Sequence, residues 1–273
     1  MPNSRLIDGQ FAVGDPCWYD LSTSDPARSA NFYSQVFGWT FEPAGKVLGD
    51  EAKSYQLATI GERKVAGLGY VASVATREPG WWVHFAAPDI SSMTKQVREL
   101  GGQADEPIRI AGQGQLAVAR DPQGAGFGLW NPGMLRSPAS SDTAGTAHWV
   151  ELLTADASAV APFYEELFGV KAVPVAAKDG DASGSSLNLR RIELGQPRMV
   201  AAIQGVAAAN VGNPGWRTYF LTDNVTSTKH RVVDAGGTVL EDLHDASSRE
   251  VAIVADIDGA EFGLVQRGPG SRG

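Results

Sequence analysis

The chain has a single cysteine, Cys17, which excludes an internal disulfide and any cysteine-built zinc cluster within one copy. A structural thiol in a strand is the role expected for it. No apolar run reaches the roughly 20 residues that a membrane-spanning helix needs. The opening MPNSRLIDGQFAVGDP also lacks the apolar core of a secretory leader, so a cytoplasmic protein with no membrane partner is expected. Positive charge is scarce: 23 Lys and Arg stand against 31 Asp and Glu, for a net charge of -8. Binding a polyanion takes a basic surface that releases counterions, so nucleic acid is not an expected partner. What the chain does have is bulk. Its 273 residues, 43% hydrophobic and 20% charged, suffice for two ordinary domains with cores of their own. A small molecule is the partner left, bound by a monomer or a homodimer.

Self-similarity organises the rest. WYDLSTSDPARSANFYSQVFGW at 18–39 returns as WVELLTADASAVAPFYEELFGV at 149–170, a constant offset of 131. GWWVHF at 80–85 returns as GWRTYF at 215–220, and DPQGAGFGL at 121–129 as DIDGAEFGL at 256–264, now at an offset of 135. Each half divides again: an offset of 64 lays Asp20 on His84, Asp25 on Asp89 and Gly38 on Gly102, and one of 68 lays Asp156 on Asn224 and Gly169 on Gly237. The expected organisation is a first domain at 11–131 (modules 16–75 and 80–131), a linker at 132–146 rich in Pro, Ser, Gly and Ala, and a second domain at 147–267 (modules 147–206 and 215–267).

Within a module the periodicity changes in a fixed order. CWYDL is a short aromatic and apolar run, as in a strand. Asp25 then fits a helix N-cap with Pro26 at the first helical position, and Ala27, Ala30, Phe32, Tyr33, Val36 and Phe37 make a helical stripe ending at Gly38, a left-handed terminator. YQLATI, KVAGLGYV, LNLRRIEL and MVAAIQGV read as strands. The module is βαβββ, and the fold class α+β.

These blocks resemble the vicinal-oxygen-chelate superfamily of glyoxalases, bleomycin-resistance proteins and extradiol dioxygenases. The likeness covers both halves and rests on the FYxxxFGW block from Asp25 to Trp39, its copy from Asp156 to Val170, and the closing DPQGAGFGLW and DIDGAEFGLV strands. The tandem pattern is most similar to the subgroup labelled lactoylglutathione-lyase-related or hydroxylase-like. The resemblance implies four βαβββ modules paired into two cup-shaped mixed-sheet domains with helices outside. It also implies metal-ligand positions at Trp18, Gly69, Trp82 and Gly128 in the first half, and at Trp149, Gln204, Arg217 and Gly263 in the second. A divalent ion needs imidazole, carboxylate or amide donors at about 2 Å. Trp and Gly offer none, and Arg217 beside Gln204 would repel the ion. No metal and no other cofactor is expected.

In a strand, residues two apart share a face, so Asp20 and His84 accompany Trp18 and Trp82 towards the expected cup. They read either as a structural hydrogen-bonded pair or as a tuned acid–base pair. In the second half Glu151 and Tyr219 hold these positions beside Arg217, as a clamp for an anionic ligand or as an internal Arg217–Glu151 ion pair. Trp18, Trp82 and Trp149 read as stacking walls for a flat ligand, or as plugs. EDLHDASSRE, with His244, reads as a polar loop.

Three functions fit. The first is a metal-independent enzyme of lyase, isomerase or cyclase type, moving protons on an aromatic or polyketide-like metabolite with Asp20, His84 and Glu151 as catalytic residues and Trp18, Trp82, Trp149, Gln204, Arg217 and Tyr219 binding the ligand. The second is a drug-sequestering protein of bleomycin-resistance type. The third is a scaffold whose tryptophans fill its own cups. A metal-dependent glyoxalase or dioxygenase fits the donors least well.

Overall fold

The computed structural model describes residues 11–44, 55–70, 79–110, 114–132, 143–174, 189–194, 198–206, 214–244 and 249–268. Among them the expected order of elements appears four times. The first module is β1 (Pro16–Thr23), α1 (Pro26–Phe37), β2 (Thr40–Pro43), β3 (Gln56–Ile60) and β4 (Arg63–Tyr70). The second is β5 (Gly80–Ala86), α2 (Ile90–Glu99), β6 (Gln103–Ala104), β7 (Ile108–Ile110), β8 (Gly114–Arg120) and β9 (Gly126–Pro132), so here the second strand is broken into two pieces. The third is β10 (Ala147–Thr154), α3 (Ala157–Phe168), β11 (Lys171–Pro174), β12 (Leu189–Leu194) and β13 (Arg198–Gly205). The fourth is β14 (Gly215–Thr222), α4 (Val225–Asp234), β15 (Thr238–His244), β16 (Glu250–Ala255) and β17 (Glu261–Gln266). No described helix is long and apolar enough to cross a membrane.

Every module uses one sheet topology. The first strand lies parallel to the last, in the pairs β1–β4, β5–β9, β10–β13 and β14–β17. The last runs antiparallel to the strand before it. A parallel pair cannot be closed by a tight turn and needs a long crossover, which the helix and the intervening hairpin supply. The fold class is therefore α+β, with mixed sheets and, among the described residues, four helices.

The helix signals act as read. Asp25 accepts from Arg28 N–H, and Asp156 accepts from Ser158 N–H and Ala159 N–H. Gly38 and Gly169 close α1 and α3 with φ of 71° and 65°, a conformation that costs glycine nothing. Two readings change. The EDLH stretch, read as loop, is the end of β15, because it stays in register with β16 from Glu241↔Ile253 to His244↔Glu250. Within the expected linker, Gly145 N–H donates to Leu221 C=O at 2.7 Å and Leu221 N–H to Thr146 C=O at 2.9 Å, so its last residues are paired backbone.

The contacts divide the chain into two compact units that interleave along the sequence. One takes residues 1–17, 83–135 and 150–216; the other takes 18–82, 136–149 and 217–273. Neither follows the contiguous division at 11–131 and 147–267, since each draws a module from either half. The aromatic faces of the helices account for this. In the second unit Phe32 and Tyr33 of α1 pack with Trp39 and Trp81 and with Phe220 and Phe262 of the fourth module in one core. Arg28 donates to Ile257 C=O at 2.7 Å, and Arg231 on α4 to Val36 C=O at 2.9 Å. In the first unit Phe163, Tyr164 and Phe168 of α3 pack with Phe85, Phe127 and Trp216. Burying each such side chain stabilises by about 1.5–3 kcal/mol, so the helices decide the partnership.

Candidate functional site

The parallel pairing fixes one relationship in all four modules. One residue of the first strand stands opposite a small residue of the last: Asp20 opposite Gly67, His84 opposite Gly128, Glu151 opposite Ala202, and Tyr219 opposite Gly263. These are the positions that the sequence offsets align. The small partners make room for the side chains they face. A Cβ on Gly67 would lie 2.2 Å from Asp20 Oδ1, one on Gly128 would lie 1.9 Å from His84 Nδ1, and one on Gly263 would lie 2.0 Å from the Tyr219 ring.

In the first module the pairing builds a polar cluster. Trp18 and Asp20 are both buried, at 2% and 5% exposure. The Trp18 indole N–H lies 2.8 Å from Asp20 Oδ1 and 2.8 Å from the Tyr55 hydroxyl oxygen. Tyr55 in turn donates its own proton to Asp20 Oδ1. One carboxylate oxygen is thus held by two donors, the strong charge-assisted kind of hydrogen bond. Tyr55 is missing from the residues expected from sequence. Its signal is the G-x-G of KVAGLGYV, which strips side chains from one face of β4: Cβ atoms on Gly67 and Gly69 would lie 1.7 Å from the Tyr55 hydroxyl and 3.4 Å from its ring.

The other expected residues distribute as follows. His84 is buried at 1% on β5, in the other compact unit from Asp20. Beside it, Cys17 is a buried thiol that donates to His84 C=O at 3.4 Å; burial, with Asp15 nearby, pushes it well above the ordinary thiol range, as befits the structural role expected. Trp82 is buried at 6%. Glu151, also buried, sits on β10, and Gln204, half-buried, on the neighbouring β13 opposite Leu153. Trp149 is half-buried and packs against the apolar cluster of Tyr219, Leu221, Val251, Ile253 and Val265. The charge of Arg217 is met by Glu261, at 2.5 Å, a residue the sequence reading does not single out. Burial pulls the guanidinium down; Tyr219, which also accepts from it, and Glu261 outweigh that, so Arg217 is held more firmly charged than usual.

A family model described as a glyoxalase-like domain matches residues 18–130 and again 149–265. The chain belongs to the glyoxalase-like family. This puts it in the vicinal-oxygen-chelate superfamily, and each sequence half is one glyoxalase-like domain of the family pattern. The anthracycline biosynthesis protein DnrV of Streptomyces peucetius is 29% identical, over 94% of each chain. CFP32 of Mycobacterium tuberculosis, which carries a provisional glyoxylase name, is 27% identical over 95% of this chain and 97% of that one. Among solved structures, the Mn(II)-bound glyoxalase of Novosphingobium aromaticivorans superposes with a TM-score of 0.60 at 15% identity, covering 94% of this chain and 83% of that one. At that identity the likeness is one of fold.

Most of the residues at the positions where the resemblance implies metal ligands do not suit a divalent metal; Gln204, with its amide oxygen, is the exception. Trp18, Trp82 and Trp149 bring no donor atom suited to such an ion, and Arg217 brings a cation already paired with Glu261. Gly128 and Gly263 lack a donor and also lack space for one, since the His84 ring and the Tyr219 ring stand where a longer side chain would start. Among the described residues no three His, Cys, Asp or Glu side chains gather into a group able to hold an ion.

Proposed function

We propose that this glyoxalase-like protein binds a flat, aromatic, polyketide-like metabolite and moves a proton on it, in the cytoplasm and without a divalent metal, with Asp20 as the base. The observation that carries this reading is the buried Asp20 carboxylate, clamped through Oδ1 by Trp18 and Tyr55 in a wall that includes a tryptophan. A carboxylate is a proton acceptor only, and one held in a fixed orientation is set up for general-base work. The ligand class is supported by the similarity to DnrV, whose name places it in anthracycline biosynthesis, over 94% of both chains. Metal independence is supported by the donor-free and space-free positions described above.

Calorimetry with daunorubicin tests the reading. Wild-type protein should bind it, and Asp20→Asn should retain binding while losing any proton exchange into the ligand. Arg217→Ala should leave both intact. An Arg217→Ala variant that loses binding while Asp20→Asn keeps binding and exchange alike would move the site from Asp20 to Arg217, within the compact unit that holds both. Elemental analysis should return no stoichiometric Fe, Mn, Ni or Zn; about one ion per chain would overturn the metal-free part. The drug-sequestering alternative predicts tight binding with no proton exchange at all.

A further inference from the structure

Among the described residues the second strand of each module pairs only with the strand that follows it, which leaves its other edge open. An open edge is a template for pairing with another chain. Three modules blunt it. β2 and β11 are four residues long and end in Pro43 and Pro174, and the second module breaks the strand into the short β6 and β7. β15 does neither: it runs seven residues without proline, and Val239 is half-buried while every other residue is exposed. Among the described residues the exposed large apolar side chains are Leu240 and Leu243 of β15 and Val233 of α4, the helix that packs on it.

The side chains of β15 say what could lie beside it. Its register with β16 breaks between Val239 and Glu241, so Leu240 is bulged out and the edge presents Val239, Glu241, Asp242 and Leu243 in line. Two acids thus stand between two apolar residues. Glu241 and Leu243 share one face; Asp242 is on the other, where Lys229 of α4 bridges it. A second copy of this edge fits badly. An antiparallel pair about a two-fold axis sets its central residue against itself, and centring on Glu241 or Asp242 puts like charges directly opposite, which destabilises. Centring on Leu243 leaves only Asp242, Leu243 and His244 of β15 overlapping. A strand that carries bases where β15 carries acids meets neither obstacle.

We propose that β15 is a docking edge for an extended segment of another protein, one in which two adjacent basic residues are flanked by apolar ones. The segment adds to the sheet as an antiparallel strand. Its backbone bonds the outer edge of β15, its bases stand opposite Glu241 and Asp242, and its apolar residues stand opposite Val239 and Leu243. Main-chain hydrogen bonds hold the segment, and the order of apolar and basic side chains selects it. Asp20 and Tyr55 take no part.

The test titrates the isotope-labelled full chain with the acetylated and amidated peptide TVKKVT, whose valines then face Leu243 and Val239 and whose lysines face Asp242 and Glu241. Binding is followed by NMR and amide hydrogen exchange, with circular dichroism to confirm the fold of each variant. Amides of β15 should shift saturably and gain protection. The shuffled peptide KTVVTK, of the same composition and charge, and the acidic TVEEVT should each bind about tenfold more weakly. Glu241→Lys should weaken TVKKVT about fivefold. Glu42→Lys, the same charge change on the exposed but blunted edge of β2, should leave it unchanged. If KTVVTK binds as well as TVKKVT, or Glu42→Lys weakens binding as much as Glu241→Lys, the attraction is only that of a chain with net charge -8, and the proposal falls. It falls too if no peptide binds or if the shifted amides lie on β2, β7 or β11. Protection of β15 without peptide, in a concentration-dependent dimer, would make a second copy the occupant and overturn it as well.

Discussion

The Tyr33 hydroxyl donates to Asp256 Oδ2 at 3.0 Å, although the two residues are 223 apart in the chain. The Trp81 N–H donates to the same hydroxyl at 2.9 Å, and Asp256 Oδ1 accepts from the backbone N–H groups of Asp258 and Ala260. The other compact unit repeats it: Trp216 donates to Tyr164 at 3.1 Å, Tyr164 to Asp121 Oδ2 at 2.9 Å, and Asp121 Oδ1 holds the N–H groups of Gln123 and Ala125. The Tyr of FYxxxFG, the Trp of GW and the Asp of the DxxGA turn are therefore one buried relay. It ties a helix from one half of the sequence to a turn from the other.

Removing the middle of this relay should be costly. Tyr33→Phe leaves the Trp81 N–H and Asp256 Oδ2 each without this partner, and an unmet buried polar group costs about 1–3 kcal/mol. In a domain of this size each kcal/mol lowers Tm by about 2–4 °C. Calorimetric scans of Tyr33→Phe and Tyr164→Phe should show similar losses; an unchanged Tm for either would remove the relay as a stabilising element.

Burial pushes the carboxyls of Asp121 and Asp256 above the ordinary carboxylate value of 3.8, and their hydrogen bonds pull back only part of the way. The folded state thus holds these protons more tightly than the unfolded chain. Their stabilising contribution is full below the ordinary value and is lost as pH rises through the raised folded value. Asp256→Asn lacks this loss. Its stability relative to wild type should therefore climb with pH through that window and then level off, as measured by urea unfolding across pH; a constant difference would contradict the raised carboxyl.

Gly128→Ala and Gly263→Ala each drive a methyl into a ring, within 1.9 Å of His84 Nδ1 and 2.0 Å of the Tyr219 ring. Overpacking of this kind costs about 1–3 kcal/mol. Gly268→Ala, where nothing lies within 4 Å of the added carbon, is the neutral control. Equal thermal stability of all three would show that the rings can leave at no cost.

Gly67→Ala should act on the site instead of on the fold at large. The methyl would lie 1.7 Å from the Tyr55 hydroxyl and 2.2 Å from Asp20 Oδ1, and Tyr55, half-buried, is the group able to yield. The variant should therefore lose proton exchange into daunorubicin, as Asp20→Asn does. Wild-type exchange from a folded Gly67→Ala protein would show that the slot does not set the hydroxyl.

The sequence by itself determined the local structure. Asp25 and Asp156 before a stripe of aromatics, with Gly38 and Gly169 after it, define a helix through capping and backbone freedom, and these act over a few residues wherever the segment ends up. The same holds for the strand runs, so four βαβββ modules were legible in the spacing. A shared strand face was legible too, because a strand alternates its faces: Trp18 and Asp20 do share one, and their side chains bond.

What tertiary structure alone decided is partnership across distance. Nothing in the spacing says that Phe32 and Tyr33 pack with Phe262, that Arg217 pairs with Glu261, or that Tyr55 bends over Gly67 and Gly69 to reach Asp20. Hydrophobic burial is non-directional, and an aromatic stripe can be covered by the module next to it in sequence or by one from the other half. The choice between them is made only when whole faces meet, and it is made through shape and hydrogen bonds such as Tyr33 to Asp256 that no single segment contains.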